Sequence, residues 1–217
     1  NSWEGVYFDI NQQGMDQMMA DIVSMGGELF VMDDGWFGDK YPRKNDSSSL
    51  GDWVVDKNKL PNGIEGLLSD AKKHGVKFGI WIEPEMANTT SELYEKHPDW
   101  VLKASERDVV LGRGGTQVVL DLANPAVQDF VFGVVDNLMT SYPEIDYIKW
   151  DANMSVQNHG SQYLTKDNQS HMYIEFHRGF EKICQRIRAK YPDLTIQACA
   201  SGGGRANYGV LPYFDEF

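Results

Sequence analysis

The feature that most limits the fold of this chain is a regular alternation of short apolar runs with helical stripes. Runs of strand length occur at 6–9, 28–32, 76–82, 147–150 and 194–199, and Tyr213-Phe214 resembles the start of another. Between them, apolar side chains recur three and four positions apart, as in Met15, Met18, Met19, Ile22 and Val23. Strands that alternate with helices in this way predict an α/β fold with parallel strands and right-handed crossovers.

The residues that follow the strands distinguish between two such folds. An open doubly wound sheet carries a glycine-rich phosphate fingerprint, for which Gly202-Gly203-Gly204 alone is a weak match. A TIM (β/α)8 barrel instead carries its functional residues at the carboxyl ends of the strands. Four of the predicted strands end in this manner, with Asp33-Asp34, Glu83, Asp151 and Cys199. The sequence therefore favours the barrel.

Charge and hydropathy exclude several classes of partner. The 217 residues include 32 acidic and 20 basic side chains, which gives a net charge of −12 and disfavours nucleic acid and anionic membrane. No apolar run is long enough for a membrane span, and the first residues lack the pattern of a signal peptide. We therefore expect a cytoplasmic location, with secretion left open. Two cysteines are too few for a disulfide scaffold.

The triplet Lys149-Trp150-Asp151 carries the strongest chemical signal. Side chains alternate along a strand, so Lys149 and Asp151 point to one face. An ammonium near Asp151 would hold the pKa of this carboxyl down, as the nucleophile of a retaining glycosidase requires. The alternative interpretation is an ordinary buried ion pair.

The other residues at these strand ends suit a sugar. Asp33 and Asp34 are adjacent acceptors for vicinal hydroxyl groups, and Trp36 and Trp81 are candidates for an apolar wall against sugar C–H groups. Core packing is an equally good interpretation of the two tryptophans.

A divalent cation is the competing chemical interpretation. Carboxylates available to hold Mg²⁺ or Ca²⁺ are Asp33, Asp34, Glu83, Asp121 and Asp151. Lys149 argues against it, because a cation already occupies that neighbourhood, and the five histidines lack zinc-ligand spacing. We expect neither a metal nor a cofactor. Serine hydrolase chemistry is disfavoured because Ser201 lacks the G-x-S-x-G elbow.

Six stretches, spread over nearly the whole chain, together resemble the melibiase-type α-galactosidases of glycoside hydrolase family 36. They are Asn1-Ser2-Trp3-Glu4, Asp33-Asp34-Gly35-Trp36-Phe37-Gly38, Trp81-Ile82-Glu83-Pro84-Glu85-Met86, Leu120-Asp121-Leu122-Ala123-Asn124-Pro125, Tyr147-Ile148-Lys149-Trp150-Asp151-Ala152-Asn153 and Cys199-Ala200-Ser201-Gly202-Gly203-Gly204-Arg205. The resemblance implies a (β/α)8 catalytic domain that removes terminal α-1,6-linked galactose from melibiose and raffinose-type oligosaccharides. It also implies retention of configuration without a metal.

The resemblance further implies a role for each matching residue. Asp151 matches the nucleophile. The matching sugar-contacting residues are Asp33 and Asp34 for the 4- and 6-hydroxyls, Lys149 and Arg113 as cations, Trp81 as the pocket aromatic, and Cys199 with Gly202 and Gly203 at the 2-hydroxyl. Trp36 and Asn153 are further candidates for substrate binding. Gln197 stands where many relatives carry an acid, and Met154-Ser155-Val156 departs from the usual arginine continuation.

The length leads to further expectations. We expect residues 1–217 to be a barrel domain that is truncated after about five to six βα units, with the acid/base aspartate just beyond Phe217. Asp215 and Glu216 precede the expected position and are not assigned. Little turnover of melibiose is expected from this chain alone. Because an unclosed barrel leaves two sheet edges exposed, a homo-oligomer is expected as well.

Two other functions remain open at this stage. A galactosyl transferase of the raffinose-synthase kind would share the fold and the sugar site. A non-catalytic galactose-binding barrel fragment would bind the sugar without a covalent step.

Overall fold

A four-stranded parallel sheet forms the centre of the molecule, for which a computed structural model describes residues 1–217. Its strands are paired in the order β1-β2-β5-β6. They span Leu29–Met32 (β1), Lys77–Ile82 (β2), Tyr147–Trp150 (β5) and Thr195–Ala198 (β6). All three pairings are parallel, which confirms the predicted α/β class.

Four long helices connect or precede these strands. They span Gln12–Ser24 (α2), Gly63–His74 (α3), Pro125–Ser141 (α5) and Met172–Lys190 (α6). Two of these helices have the caps that their sequences favour: the side chain of Asn124 accepts the backbone N–H of Ala126, and Gly75 ends α3 in the left-handed conformation at φ 71°. Two short helices, Trp3–Val6 (α1) and Glu92–Lys96 (α4), and two 3₁₀ turns, Pro98–Trp100 and Lys166–His171, complete the helical elements.

The long connection after β2 contains a small antiparallel ribbon. Met86–Asn88 (β3) pairs with Gln117–Val119 (β4), which overlaps the apolar run at 118–120. The ribbon begins four residues after β2 ends, so it lies close to the carboxyl end of the parallel sheet.

The structure corrects two predicted strands at the ends of the chain. Residues 6–9 do not form a strand: Trp3–Val6 is a helical turn that ends at Tyr7, and the rings of Tyr7 and Phe8 pack edge-on against Trp3. Tyr7 and Phe8 therefore pack against Trp3 and do not pair with a strand of the sheet. Tyr213-Phe214 does not begin a strand either, although Glu216 forms a single parallel bridge with Gln197.

The register of the sheet brings the residues at the strand ends together. Trp81, Lys149 and Gln197 are aligned across three neighbouring strands. The ladder continues one residue further, because the N–H of Asp151 donates to the Ile82 carbonyl at 2.7 Å and the N–H of Cys199 donates to the Trp150 carbonyl at 2.8 Å. The predicted convergence of polar residues at one end of the sheet is thus confirmed.

One continuous core of 46 buried apolar residues holds the helices against the sheet. Met15 and Met19 of α2 and Phe180 and Ile183 of α6 belong to it, as their spacing predicts. No helix in the chain has both the length and the apolar character needed to cross a membrane.

Candidate active site

Asp33 lies directly after β1 and is held by two side chains. Its Oδ2 accepts hydrogen bonds from Lys149 Nζ at 2.7 Å and from Asn1 Nδ2 at 2.6 Å, and its backbone N–H donates to Ser2 Oγ at 2.9 Å. The direct partner of Lys149 is therefore Asp33 and not Asp151, which corrects the predicted pairing. The reason is that β1 and β5 flank β2, so a long lysine side chain on β5 reaches across the strand end to the carboxylate after β1.

Asp34 forms a second, fully buried ion pair. Arg43 donates to both carboxylate oxygens, through Nε at 2.9 Å and Nη2 at 2.7 Å, in the bidentate geometry of strong guanidinium–carboxylate pairs. Asp34 is 4% exposed and Arg43 is 1% exposed. Burial raises the pKa of the Asp34 carboxyl, and the Arg43 guanidinium opposes that shift.

Arg43 is a residue that the sequence interpretation missed. Its Nη1 also donates to the Ser48 carbonyl at 2.9 Å and to Asn88 Oδ1 at 3.0 Å, which ties the loop after β1 to the ribbon. The guanidinium lies over the rings of Phe8 and Phe37. The only available signal was indirect: a buried Asp34 needs a cation, and the sequence does not indicate which one.

Asp151 accepts hydrogen bonds from three N–H groups. Oδ2 accepts from Trp81 Nε1 at 3.1 Å and from Asn153 Nδ2 at 2.6 Å, while Oδ1 accepts from the backbone N–H of Ala152 at 2.9 Å. Hydrogen bonds of this kind favour the charged form of a carboxyl group and fix its orientation. The charge of Asp151 contributes, after burial, to a raised pKa of the nearby Cys199 thiol.

Asn153 joins Asp151 to two other parts of the site. Its Oδ1 accepts hydrogen bonds from the N–H and the hydroxyl of Ser201, at 3.2 and 2.9 Å. Its backbone N–H donates to Glu83 Oε1. The segment 151–153 is thus held from the β2 side by Glu83 and from the β6 side by Ser201.

Glu83 is a buried carboxyl of this site that, like Asp151, lacks a basic partner. It is 2% exposed, and no lysine or arginine lies within salt-bridge distance, whereas Asp33 and Asp34 each have one. Burial, with the Asp151 charge as the next largest cause, raises the pKa of Glu83 to about 8. Sequence reasoning counted Glu83 only as a potential metal ligand.

The two tryptophans of the predicted sugar wall have different environments. Trp36 is fully buried and its Nε1 donates to the Trp81 carbonyl at 3.0 Å, so it packs behind Trp81 and has no surface for a ligand. This corrects the expectation that Trp36 contacts the sugar. Trp81 meets the site directly through its indole N–H and stacks against Phe37 with a ring separation of 6.2 Å.

The remaining predicted residues surround Asp151 on loops. Arg113 is held by Asp46 through two contacts of 3.0 and 3.1 Å and adopts a positive φ of 49°. The pKa of Arg113 is raised, because the pair with Asp46 and the charges of Glu83 and Asp151 outweigh the effect of burial. Burial raises the pKa of the Cys199 thiol.

The glycine loop after Cys199 forms the edge of the site. Gly202 adopts a φ of 92°, in the region that favours glycine, and its carbonyl accepts the N–H of Ala200. Gly202 and Gly203 are both exposed.

Acidic residues near the site but outside the cluster are engaged elsewhere. Glu85 lies beside Arg205 at 2.6 Å and accepts from Trp150 Nε1 at 2.7 Å. Glu216 accepts from the Tyr147 hydroxyl at 2.8 Å, and Tyr147 begins β5 at the sheet end opposite Asp151. Asp215 pairs with Arg188 of α6 at 2.6 Å.

The acidic residues considered as metal ligands are not grouped around a common point. The chain contains no group of three or more histidine, cysteine, aspartate or glutamate side chains placed to hold a metal ion. Asp121, another of the carboxylates considered, is turned toward the Ser161 hydroxyl.

Fold and site together define a class of protein. Parallel strands with helical crossovers, whose carboxyl ends present an oriented carboxylate beside ion-paired aspartates, have the architecture of a (β/α)8-barrel glycoside hydrolase. A sequence model of the Melibiase family matches residues 1–217. The chain belongs to this family.

Individual relatives agree with that assignment. Alpha-galactosidase C of Emericella nidulans is 41% identical over 224 residues, which cover 100% of this chain and 28% of the relative. AgaA of Geobacillus stearothermophilus is 38% identical over 216 residues, covering 100% of this chain and 29% of that protein. The chain therefore spans less than a third of these curated relatives.

Solved structures give the same result. The alpha-galactosidase of Lactobacillus brevis superimposes with a TM-score of 0.92 at 40% identity, over 98% of this chain and 28% of the other. A structure of Geobacillus AgaA in complex with raffinose superimposes with a TM-score of 0.91 at 38% identity, over 98% of this chain and 29% of the other. The similarity confirms that the described sheet is part of the predicted barrel fold.

Proposed function

We propose that this chain carries the galactose subsite and the nucleophile of a retaining α-galactosidase. The observation that supports the proposal most is the environment of Asp151, which accepts three N–H hydrogen bonds at the end of a buried strand. An ionised carboxylate with a fixed orientation is the group that attacks the anomeric carbon in a retaining mechanism. The bond to the leaving oxygen breaks as the glycosyl–Asp151 ester forms, and water later hydrolyses this ester.

Asp33 and Asp34 are the proposed acceptors for the galactose 4- and 6-hydroxyls. Each carboxylate offers about four acceptor positions, and the cations and amides already bound leave some of them free. Because Lys149 and Arg43 fix both carboxylates, a sugar that binds here meets acceptors whose orientation is already set. Trp81, Arg113, Asn153, Cys199, Gly202 and Gly203 complete the proposed subsite.

The proposed substrates are galactosyl oligosaccharides of the melibiose and raffinose type. Structures of Geobacillus AgaA contain raffinose and stachyose, which supports this class of substrate for a relative at 38% identity. The general acid/base is proposed to be an aspartate outside residues 1–217. The two acidic residues near the end of the chain support this proposal, because neither is near Asp151. Glu216 accepts a hydrogen bond from Tyr147, and Asp215 pairs with Arg188.

Covalent trapping tests the nucleophile. An activated fluoro-galactosyl reagent has a good leaving group, so its attack by Asp151 does not depend on a general acid. We expect mass spectrometry of peptides to find one galactosyl adduct, on Asp151, and none in Asp151→Asn.

Two comparisons make the trapping experiment decisive. Asp33→Asn keeps the nucleophile and removes one sugar acceptor, so it should slow labelling without moving the adduct. An adduct on another residue, or undiminished labelling of Asp151→Asn, contradicts the assignment. Product analysis with excess sugar acceptor then separates hydrolysis from transfer, and galactose binding without any adduct would indicate a binding module.

A further inference from the structure

Glu83 and Asp151 are two buried carboxyl groups that are linked through Asn153 and that no lysine or arginine contacts directly. Asp33 has Lys149 and Asp34 has Arg43, but neither Glu83 nor Asp151 lies within 4 Å of a lysine or arginine nitrogen. Two like charges at neighbouring buried positions repel each other, so the pair binds a proton more readily than either carboxyl group would alone.

The hydrogen bonds decide which of the two groups retains that proton. Asp151 accepts hydrogen bonds from three N–H groups, and such bonds favour the charged form of a carboxyl group. Glu83 accepts only the backbone N–H of Asn153. The charge is therefore favoured on Asp151 and the proton on Glu83.

Glu83 is also connected to Asp151 by hydrogen bonds through Asn153. Its Oε1 fixes the backbone of Asn153, and the Asn153 side chain donates to Asp151 Oδ2 at 2.6 Å. Trp81, two residues earlier on the same face of the strand, donates to the same oxygen. β2 thus orients Asp151 through Trp81 directly and through Glu83 by way of Asn153.

We infer that Glu83 is a positioning residue that retains the shared proton, leaves Asp151 as the charged member of the pair, and orients it through Asn153. The inference rests on the proposed function only in naming Asp151 the nucleophile. The raised pKa of Glu83, about 8, agrees with it. The charged groups that face Glu83 are Asp151 after β5, Asp34 after β1 with its partner Arg43, and Arg113 before β4.

Infrared difference spectroscopy measures the proton independently of activity. In the full chain at pH 7, we expect a protonated-carboxyl band that is absent from Glu83→Gln and that disappears as the pH rises through about 8. In Asp151→Asn the neighbouring charge is gone, so the same band should disappear at a lower pH. Glu85→Gln is the matched control, because it removes a buried carboxyl of the same loop that has Arg205 beside it and should leave the band unchanged.

The pH dependence of trapping tests the positioning role. With the fluoro-galactosyl reagent, we expect the wild-type labelling rate of Asp151 to fall about tenfold between pH 7 and pH 9, as ionised Glu83 replaces the neutral form. Glu83→Gln keeps a neutral group and an acceptor oxygen, so it should label well at pH 7 and lose this fall. Glu83→Leu has no acceptor for Asn153 and should label slowly at every pH.

The outcomes separate the two proposals. An ionised Glu83 at pH 7, or a Glu83→Gln variant with an unchanged pH profile, overturns the inference even if Asp151 is labelled. Labelling of another residue overturns the proposed function, and the infrared titration then still reports where the proton resides.

Discussion

Replacement of Arg43 by methionine tests whether the buried ion pair supports the candidate site. Methionine fills much of the same volume but leaves Asp34, which is 4% exposed, without its cation. It also removes the donors to the Ser48 carbonyl and to Asn88 Oδ1. The substitution therefore isolates a buried carboxylate and removes the side-chain donor of the Ser48 carbonyl, whereas Asn88 Oδ1 keeps the backbone N–H of Leu50.

The expected loss follows from the cost of an uncompensated buried charge. Removal of one partner of a buried pair destabilises a protein by about 3–5 kcal/mol, against a total stability of about 5–15 kcal/mol. With a urea slope of about 2 kcal/mol/M, a loss of about 4 kcal/mol lowers the unfolding midpoint by about 2 M.

Urea unfolding of four variants measures this loss and its cause. Asp34→Asn combined with Arg43→Met removes both charges, so its loss should be at least about 1 kcal/mol smaller than the sum of the two single losses. Lys40→Met is the control, because it breaks a solvent-exposed pair with Glu95 and should leave the unfolding midpoint almost unchanged. A loss below about 1 kcal/mol for Arg43→Met, or strictly additive losses, would refute the reasoning.

Three further predictions concern pH, packing and sugar binding. The folded pKa of Glu83, about 8, exceeds its ordinary value of 4.5, so the folded state retains a proton that the unfolded state has released between these values. Stability should fall as the pH rises through this window, by at most about 1.4 kcal/mol per unit, and urea unfolding of Glu83→Gln should lack that slope. Gly179→Ala should destabilise the chain by more than 1 kcal/mol in thermal unfolding, because its Cβ would lie 1.8 Å from the Leu122 carbonyl oxygen, whereas Gly133→Ala meets no atom within 4 Å and should stabilise its helix by about 0.5–1 kcal/mol. Lys149→Met removes the ammonium that fixes the Asp33 carboxylate, so this acceptor is no longer preorganised and galactose binding in calorimetry should weaken about tenfold; unchanged affinity would exclude a role in the sugar subsite.

Local patterns were sufficient to predict most of the regular structure. The stripe from Met15 to Val23, the cap Asn124-Pro125 and the terminal Gly75 each contain their own signal, and the helices begin and end near those residues. The strand ends were predicted equally well, because a buried apolar run followed by an acid marks the carboxyl end of a parallel strand.

The errors arose where a contact depends on residues far apart in sequence. Nothing within the run 6–9 indicates that Tyr7 and Phe8 pack on Trp3 instead of entering the sheet. Lys149 and Asp33 are separated by 116 positions, so only the order of the strands determines that they meet. Alternation predicted the face of Lys149 correctly but not the carboxylate that it binds.

The network around Asp34 was unpredictable for a related reason. Arg43 lies in a loop without periodicity, and its burial results from the combined packing of the loop, the ribbon and two aromatic rings. Trp36 shows the opposite difficulty, because a tryptophan after a strand end has the same sequence signature whether it contacts a ligand or packs behind another residue.

Some residues of the candidate site are held by the parallel sheet, and one lies in the turn before the strand β4 of the small ribbon. Asp33, Lys149 and Asp151 are fixed by the register of the parallel strands, whereas Arg113 lies in the turn before β4 and is held by Asp46. Insertions or deletions in this turn would move Arg113 without altering any strand pairing of the main sheet. Selection can thus reshape the approach to the site by changing the length of one loop while the sugar-facing carboxylates keep their positions.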